Sequence, residues 1–271
     1  MSFYLNKFDD LLVEKVNHSL WISLNRPETS NAYSSSMVKD LVDVLKYADR
    51  DNQIRVMIIT GIGKSFCAGG DIKAMRSKTG MFAGEPNELR ESYQSGIQQI
   101  PLTISQLKTP IIAMVNGAAI GAGCDLAAMC DLRIASNDAL FAETFARVGL
   151  VPGDGGAFFL TRLIGYGKAM EMFLTCKNIS AEEALNIGLV NQVVPADELR
   201  VRTQELADQL ATLPPIALQM TKKAVVHAYQ SDLNDHLELM AAYQGITQRS
   251  SDHFRALDGM IEKKKPTFDH Y

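Results

Sequence analysis

The chain has 271 residues, a formal net charge of −4 at pH 7, and 46% hydrophobic and 21% charged residues. Such values fit a soluble globular protein with one large domain, or one domain plus an appendage. The acidic balance argues against nucleic acid or an anionic membrane as the main partner, and no apolar stretch approaches the ~20 residues a bilayer span needs.

Residues 1–10 are polar and partly acidic, so neither a signal peptide nor a transit segment is expected there. Leu11–Val16 and residues 20–24 alternate like two strands joined by an Asn17-His18 turn, and Asn25-Arg26-Pro27 ends the second. Met37, Leu41, Val44 and Leu45 have helical spacing, which predicts a helix over residues 34–49. An apolar run over 55–60 reads as a buried strand. It opens into Phe66-Cys67-Ala68-Gly69-Gly70-Asp71-Ile72. Residues 87–106 read helical, with a break near Pro101. A second buried strand, 110–115, opens into Asn116-Gly117 and then Gly121-Ala122-Gly123-Cys124-Asp125, with a helix over residues 122–129. Residues 132–135 read as another strand. Beyond 150 the pattern is helical: 151–162 after a Gly-rich turn, then 167–175, 181–187, 197–213, 216–229, 233–248 and 252–262. Strands alternating with helices predict an α/β fold with a largely parallel sheet, divided into a core over 1–195 and a helical region over 196–271. Leu218 with Met220, and Leu237 with Met240, place apolar residues for packing within the fold or on another subunit.

Two strand ends opening into Gly/Ala-rich turns leave little side-chain bulk, so a ligand can approach the backbone. Unpaired N–H groups at a helix start favour negative charge, and two of them aimed at one point make an oxyanion hole. Asp125 follows the second turn directly. It reads either as a helix-capping acid or as a general acid/base beside such a hole. Asp154, between glycines at another helix start, has the same two readings; Asp71 reads as a cap. Other motifs carry little. Gly63-Lys64-Ser65 lacks the upstream glycine of a phosphate loop, because Ile58 stands there. Gly117, Gly121 and Gly123 miss the dinucleotide spacing. His18, His227, His236, His253 and His270 lie away from the Gly/Ala turns, so no Ser-His-Asp triad is expected. Cys67, Cys124, Cys130 and Cys176 form no C-x-x-C pair, and no metal is expected. They are read as reduced, buried packing residues in a cytoplasmic protein.

In this order and spacing the segments resemble the crotonase superfamily, the enoyl-CoA hydratase/isomerase family, over nearly the whole chain. The signs are Asn25-Arg26-Pro27 with Asn31-Ala32, residues 66–72, residues 116–125, Cys130-Asp131-Leu132-Arg133, and Gly149-Leu150-Val151-Pro152 with Gly155-Gly156. The resemblance implies a spiral of β-β-α repeats followed by a helical trimerisation region, in a homo-trimer or hexamer. It implies an acyl-CoA thioester as substrate, with coenzyme A part of that substrate and no separate cofactor. It places the thioester oxygen on the N–H groups of Gly70 and Ala122, and the CoA moiety along Pro27, Thr29, Asn31, Ala68, Gly70, Asp71 and Ile72. Lys263, Lys264 and Lys265 are candidates for its phosphates. Hydratases of the family use two glutamates. By resemblance the first falls on Asp125 and the second on Phe145, which moves no proton; Glu143, two residues earlier, is a poor substitute. That leaves Asp125 and Asp154 as the expected proton carriers, for hydration or for a double-bond shift. Dienoyl isomerisation, thioester hydrolysis and non-catalytic acyl-CoA binding are the alternatives.

Overall fold

A computed structural model describes residues 7–268; His270 and the first six residues lie outside them. Two sheets share the strands of one winding chain. The larger contains β1 (Leu11–Val16), β2 (Ser19–Leu24), β3 (Val56–Gly61), β5 (Ile111–Val115), β7 (Leu132–Ser136) and β10 (Gln192–Val194), in the spatial order β1-β2-β3-β5-β7-β10. Within this sheet only the β1–β2 pair is antiparallel; Asn17 supplies the left-handed turn residue between them, with φ 53°. The smaller sheet contains β4 (Ser65–Cys67), β6 (Ala118–Ile120), β8 (Leu140–Ala142) and β9 (Ile179–Ser180), in that order. Successive strands therefore alternate: β3, β5 and β7 enter the large sheet, and β4, β6 and β8 follow each of them into the small one. That alternation is the β-β-α spiral. It also stacks the exits of β4, β6 and β8 side by side.

Period-two burial explains the continuous apolar runs. On β3, Met57 and Ile59 join the main core, while Val56 and Ile58 face the other way. There they meet Trp21, Ile112, Met114 and Ile134 beneath α8 (Leu199–Ala211). A strand buried on both faces reads as an unbroken apolar stretch. Trp21 Nε1 donates to Gln204 Oε1 at 2.8 Å and fixes α8 on that face. The first helix after residue 195 is therefore a layer of the core. By contrast α9 (Pro215–Ala228), α10 (Leu233–Thr247) and α11 (Ser251–Glu262) bury only Pro215 and Asp252 among the described residues.

The structure departs from the sequence expectations at two points. The 87–106 helix breaks before Pro101. α3 (Pro86–Ser95) ends at Gly96 and α4 (Gln99–Gln106) begins after it, with Pro101 in the first turn of α4, where a missing N–H removes no helical bond. The small sheet is not among the expected elements: β4 and β6 lie in the segments read as Gly/Ala turns, and β8 and β9 in segments with no expected element. The two helices expected over 151–175 are present as the two halves of α6 (Gly156–Thr175), separated where expected by the non-helical Gly165 at φ 79° and ψ 162°. Expected helices over 34–49, 122–129 and 181–187 appear as α1 (Ser35–Ala48), α5 (Ala122–Met129) and α7 (Ala181–Asn186).

Candidate active site

The exits of β4 and β6 form the floor of a cavity of about 230 Å³. Gly69 and Gly70 leave β4; Gly121, at φ 53° and ψ −124°, leaves β6 and starts α5. That conformation is open to glycine alone. The two turns touch. A Cβ on Gly69 would stand 2.7 Å from Ile120 O and 3.0 Å from Ala122 N. Gly123 packs so tightly on β4 that its Cβ would fall 1.9 Å from Cys67 O. Gly70 and Ala122 both line the cavity, and among the described residues neither N–H is taken up by a turn, loop or cap hydrogen bond. As the first residue of α5, Ala122 also has no acceptor inside its helix. The site thus offers two neighbouring free donors at the ends of parallel strands.

The exit of β8 supplies the third wall. Gly121 N donates to Ala142 O at 2.7 Å, which brings the residues after β8 against the β6 turn. Phe145 lines the cavity, and a Cβ on Gly121 would lie 3.8 Å from its ring. Tyr33, Phe82, Tyr93 and Leu150 add further apolar surface.

Three carboxyls meet behind this wall. Asp125 is 0% exposed, Glu143 0% and Asp154 3%. Asp154 alone of the three lines the cavity. Its turn is held by Gln98, whose Nε2 donates to Gly153 O at 2.7 Å. Asp125 lies beneath α6, where a Cβ on Gly156 would fall 1.6 Å from Asp125 Oδ1. It is within hydrogen-bonding reach of both Asp154 and Glu143. Neither Asp125 nor Asp154 is a helix cap: the N-cap positions are Gly121 for α5 and Gly155 for α6, and neither helix has a side-chain cap bond. Asp71 is one, accepting from Lys73 N at 3.0 Å and Ala74 N at 3.1 Å.

Both oxygens of Asp125 and of Glu143, and Oδ1 of Asp154, are buried without a donor. Carboxylates cannot bond to one another, so a bond between these carboxyls needs an acid proton of their own; the Cys124 thiol, a weak donor, is within reach of Glu143. Burial first, then the neighbouring charges, hold Asp125 well above the carboxylate range; burial also raises Asp154, and pushes Glu143 up to about 8. Each group binds its proton more tightly folded than unfolded. The stability from those protons is complete below the ordinary carboxylate range and is lost as pH rises through the folded values. Between about pH 5 and 8 the unfolding free energy should therefore fall by about 1.4 kcal/mol per pH unit for each such group still protonated. Glu143→Gln should flatten that slope, as measured by urea unfolding across the range.

Of the residues expected along a CoA moiety, Ala68, Gly70 and Ile72 line the cavity, and the Ile72 side chain is exposed. Thr29 Oγ1 donates to Arg26 O at 3.2 Å. Pro27 begins the 3-10 turn Pro27–Thr29 and packs against Gly63. Asn31 is fully buried and holds the loops together: Nδ2 donates to Ile62 O (3.0 Å), Ser65 O (2.8 Å) and Phe66 O (3.3 Å), and Oδ1 accepts from Arg26 N (2.9 Å). Asn31→Ala should cost at least about 2 kcal/mol, from carbonyls and an N–H left unpaired, visible as a lower urea midpoint. Lys265 lies in a separate surface cleft with Arg55 and His18. Cys67, whose thiol donates to Asn31 O at 3.1 Å, is pushed up to about 12 by burial and is no nucleophile. No metal-binding cluster occurs among the described residues, and none of their helices is long and apolar enough to cross a membrane. Sequence reasoning places Glu143 as a poor substitute for the missing glutamate, and it does not line the cavity. Its proximity to Asp125 comes from β8 pairing beside β6, which no local pattern announces.

A family description, enoyl-CoA hydratase/isomerase, matches residues 15–271. The short-chain-enoyl-CoA hydratase of Clostridium acetobutylicum is 35% identical over 262 residues, 96% of this chain and 97% of that protein. The 1,2-epoxyphenylacetyl-CoA isomerase of Escherichia coli is 34% identical over 247 residues, 91% and 93% of the two chains. The crystal structure of an enoyl-CoA hydratase from Bacillus anthracis superimposes with a TM-score of 0.91 at 32% identity, covering 97% of this chain and all of that one.

Proposed function

Because the chain belongs to the enoyl-CoA hydratase/isomerase family, we propose that it shifts the double bond of an enoyl-CoA thioester, with Asp154 carrying the proton. The observation that carries this reading is that, of three buried carboxyls, Asp154 alone lines the cavity beside Gly70 and Ala122. The thioester oxygen accepts from Gly70 N–H and Ala122 N–H, each worth about 3–4 kcal/mol to a developing oxyanion. The Asp154 carboxylate takes a proton from C2 of a 3-enoyl thioester. The C2–H electrons pass into the dienolate, whose negative charge rests on that oxygen. The new acid returns the same proton at C4, giving the conjugated 2-enoyl thioester. One carboxyl performs both transfers. Asp125 acts through Asp154, since it has no place on the cavity wall.

By resemblance Phe145 stands where hydratases carry their second glutamate, and its ring excludes water from the β6 turn. Hydration is the second reading, favoured by the hydratase among the relatives. Ala68, Gly70 and Ile72 would flank the CoA moiety, with Pro27, Thr29, Asn31 and Asp71 shaping the loops beneath it. Exposed Leu237, Phe254, Met260 and Ile261 on α10 and α11 support assembly into a trimer or hexamer.

The test offers the purified protein a 3-enoyl-CoA and a 2-enoyl-CoA separately. Appearance of the conjugated thioester absorbance from the first is expected. Its loss from the second, with the first left unchanged, would overturn isomerisation in favour of hydration. Light scattering should give the mass of a multiple of three chains, and a stable monomer would refute the assembly.

A further inference from the structure

Glu143 is the buried carboxyl that the proposed reaction does not use. It leaves β8 two residues before Phe145, is 0% exposed and does not line the cavity. Its neighbours on α5 are Cys124 and Asp125, both within hydrogen-bonding reach, and Asp154 lies beyond Asp125 on the turn into α6. Tyr33, Cys67 and Tyr93 stand around Asp154. Arg133 on β7 is near Cys124, but its guanidinium donates to the carbonyls of Leu189, Ala127 and Cys130. α7 packs on β8 and brings only Glu182, which is exposed, and Glu183, ion-paired to Lys177 at the surface. Among the described residues none of Asp125, Glu143 and Asp154 forms an ion pair. The three carboxyls therefore form a row, Glu143–Asp125–Asp154, closed at one end and open to the cavity at the other.

Among the described residues the Cys124 thiol, a weak donor, reaches Glu143 from outside the row; the bonds within the row need the carboxyls' own protons, and Asp125, in the middle, has one to give. It can point to Asp154 or to Glu143, not to both. We propose that Glu143 is a positioning residue: in its neutral form it leaves the Asp125 proton directed at Asp154, and in its ionised form it draws that proton away. This rests on Asp154 being the group that meets the substrate. With Glu143 neutral, the Asp154 carboxylate accepts a hydrogen bond from Asp125 and is held in one orientation over the substrate. Ionised Glu143 competes for the bond and adds a second buried charge. Asp154 then loses its fixed geometry, and its conjugate acid becomes a poorer proton donor at the second transfer. Burial places the Glu143 ionisation at about 8, just inside the range where an enzyme assay can follow it.

The experiment is the pH dependence of kcat/KM on whichever enoyl-CoA is turned over, for the wild type and Glu143→Gln. A neutral amide at 143 cannot ionise. Wild-type kcat/KM should fall about tenfold from pH 7 to pH 9, as one ionisation near 8 requires, while Glu143→Gln should change about twofold or less. A wild type without this limb, or a variant that falls in parallel with it, overturns the proposal. Infrared titration of the wild type needs neither turnover nor a folded variant. A protonated glutamate carboxyl band, identified with isotope-labelled glutamate, should vanish with the midpoint of the kinetic limb; a band that persists to pH 10 overturns the proposal. Asp125→Asn should retain that band while weakening the kinetic limb, since its amide still donates to Asp154 but carries no acid proton for Glu143 to draw away. Full activity in Asp154→Asn would instead sink the assignment of the base. That result is distinct from an unchanged limb in Glu143→Gln.

Discussion

Asp154→Asn should lower kcat on an enoyl-CoA by about 10²–10⁴-fold while changing KM little. An amide fills the same volume and keeps the turn into α6, because that turn is held from outside by the Gln98 bond to Gly153 O. The only property removed is proton transfer. The oxyanion donors at Gly70 and Ala122 are untouched, so the thioester should bind as before and enolise slowly. Asp125→Asn makes the informative contrast. Asp125 does not line the cavity, and an asparagine there still presents an N–H to Asp154, so its loss should stay within about tenfold at neutral pH. Equal collapse of both variants would mean that Asp125 exchanges protons with the substrate directly. Exchange of the substrate's C2 hydrogen with deuterated solvent separates binding from chemistry: it should vanish in Asp154→Asn and persist in Asp125→Asn.

How far the sequence discloses this site depends on how local each feature is. The large sheet is legible because β3 and β5 are buried on both faces and read as apolar runs. α5 is legible to the residue, because glycines open it and four apolar residues carry it on. The small sheet is not, since β4, β6 and β8 have three residues each and no period can be read in three positions. Yet those strands make the site. Their exits bring Gly70, Ala122 and Phe145 to one cavity, and only their parallel stacking explains why turns about fifty residues apart meet. The free donors at Gly70 and Ala122 follow from glycine placement and from the family resemblance. The depth of Asp125 does not, because it is set by Gly156 of a helix thirty residues further on. Two acids that look equivalent in the sequence, each next to glycines at a helix start, thus take different places in the fold.

Gly123→Ala tests whether the hole depends on that stacking. A Cβ there would stand 1.9 Å from Cys67 O, 2.6 Å from Cys67 C and 2.8 Å from Cys67 Cβ. The first two are backbone atoms at the end of β4, so no rotamer relieves the clash. Either α5 must lift from the small sheet or β4 must retreat. Overpacking of this kind costs about 1–3 kcal/mol or more, beyond the ~1 kcal/mol that alanine gains over glycine in a helix. Both movements also separate Ala122 N from Gly70 N, which contact at Gly69 now holds together. Losing the aim of one donor should reduce kcat by about 10²–10³-fold. The control is Gly167→Ala in α6, where a Cβ meets nothing within 4 Å; it should stabilise by a few tenths to ~1 kcal/mol and leave kcat alone. A Gly123→Ala protein with wild-type Tm and kcat would mean that the two turns do not bear on each other. In that case Gly70 and Ala122 could not be acting as one hole.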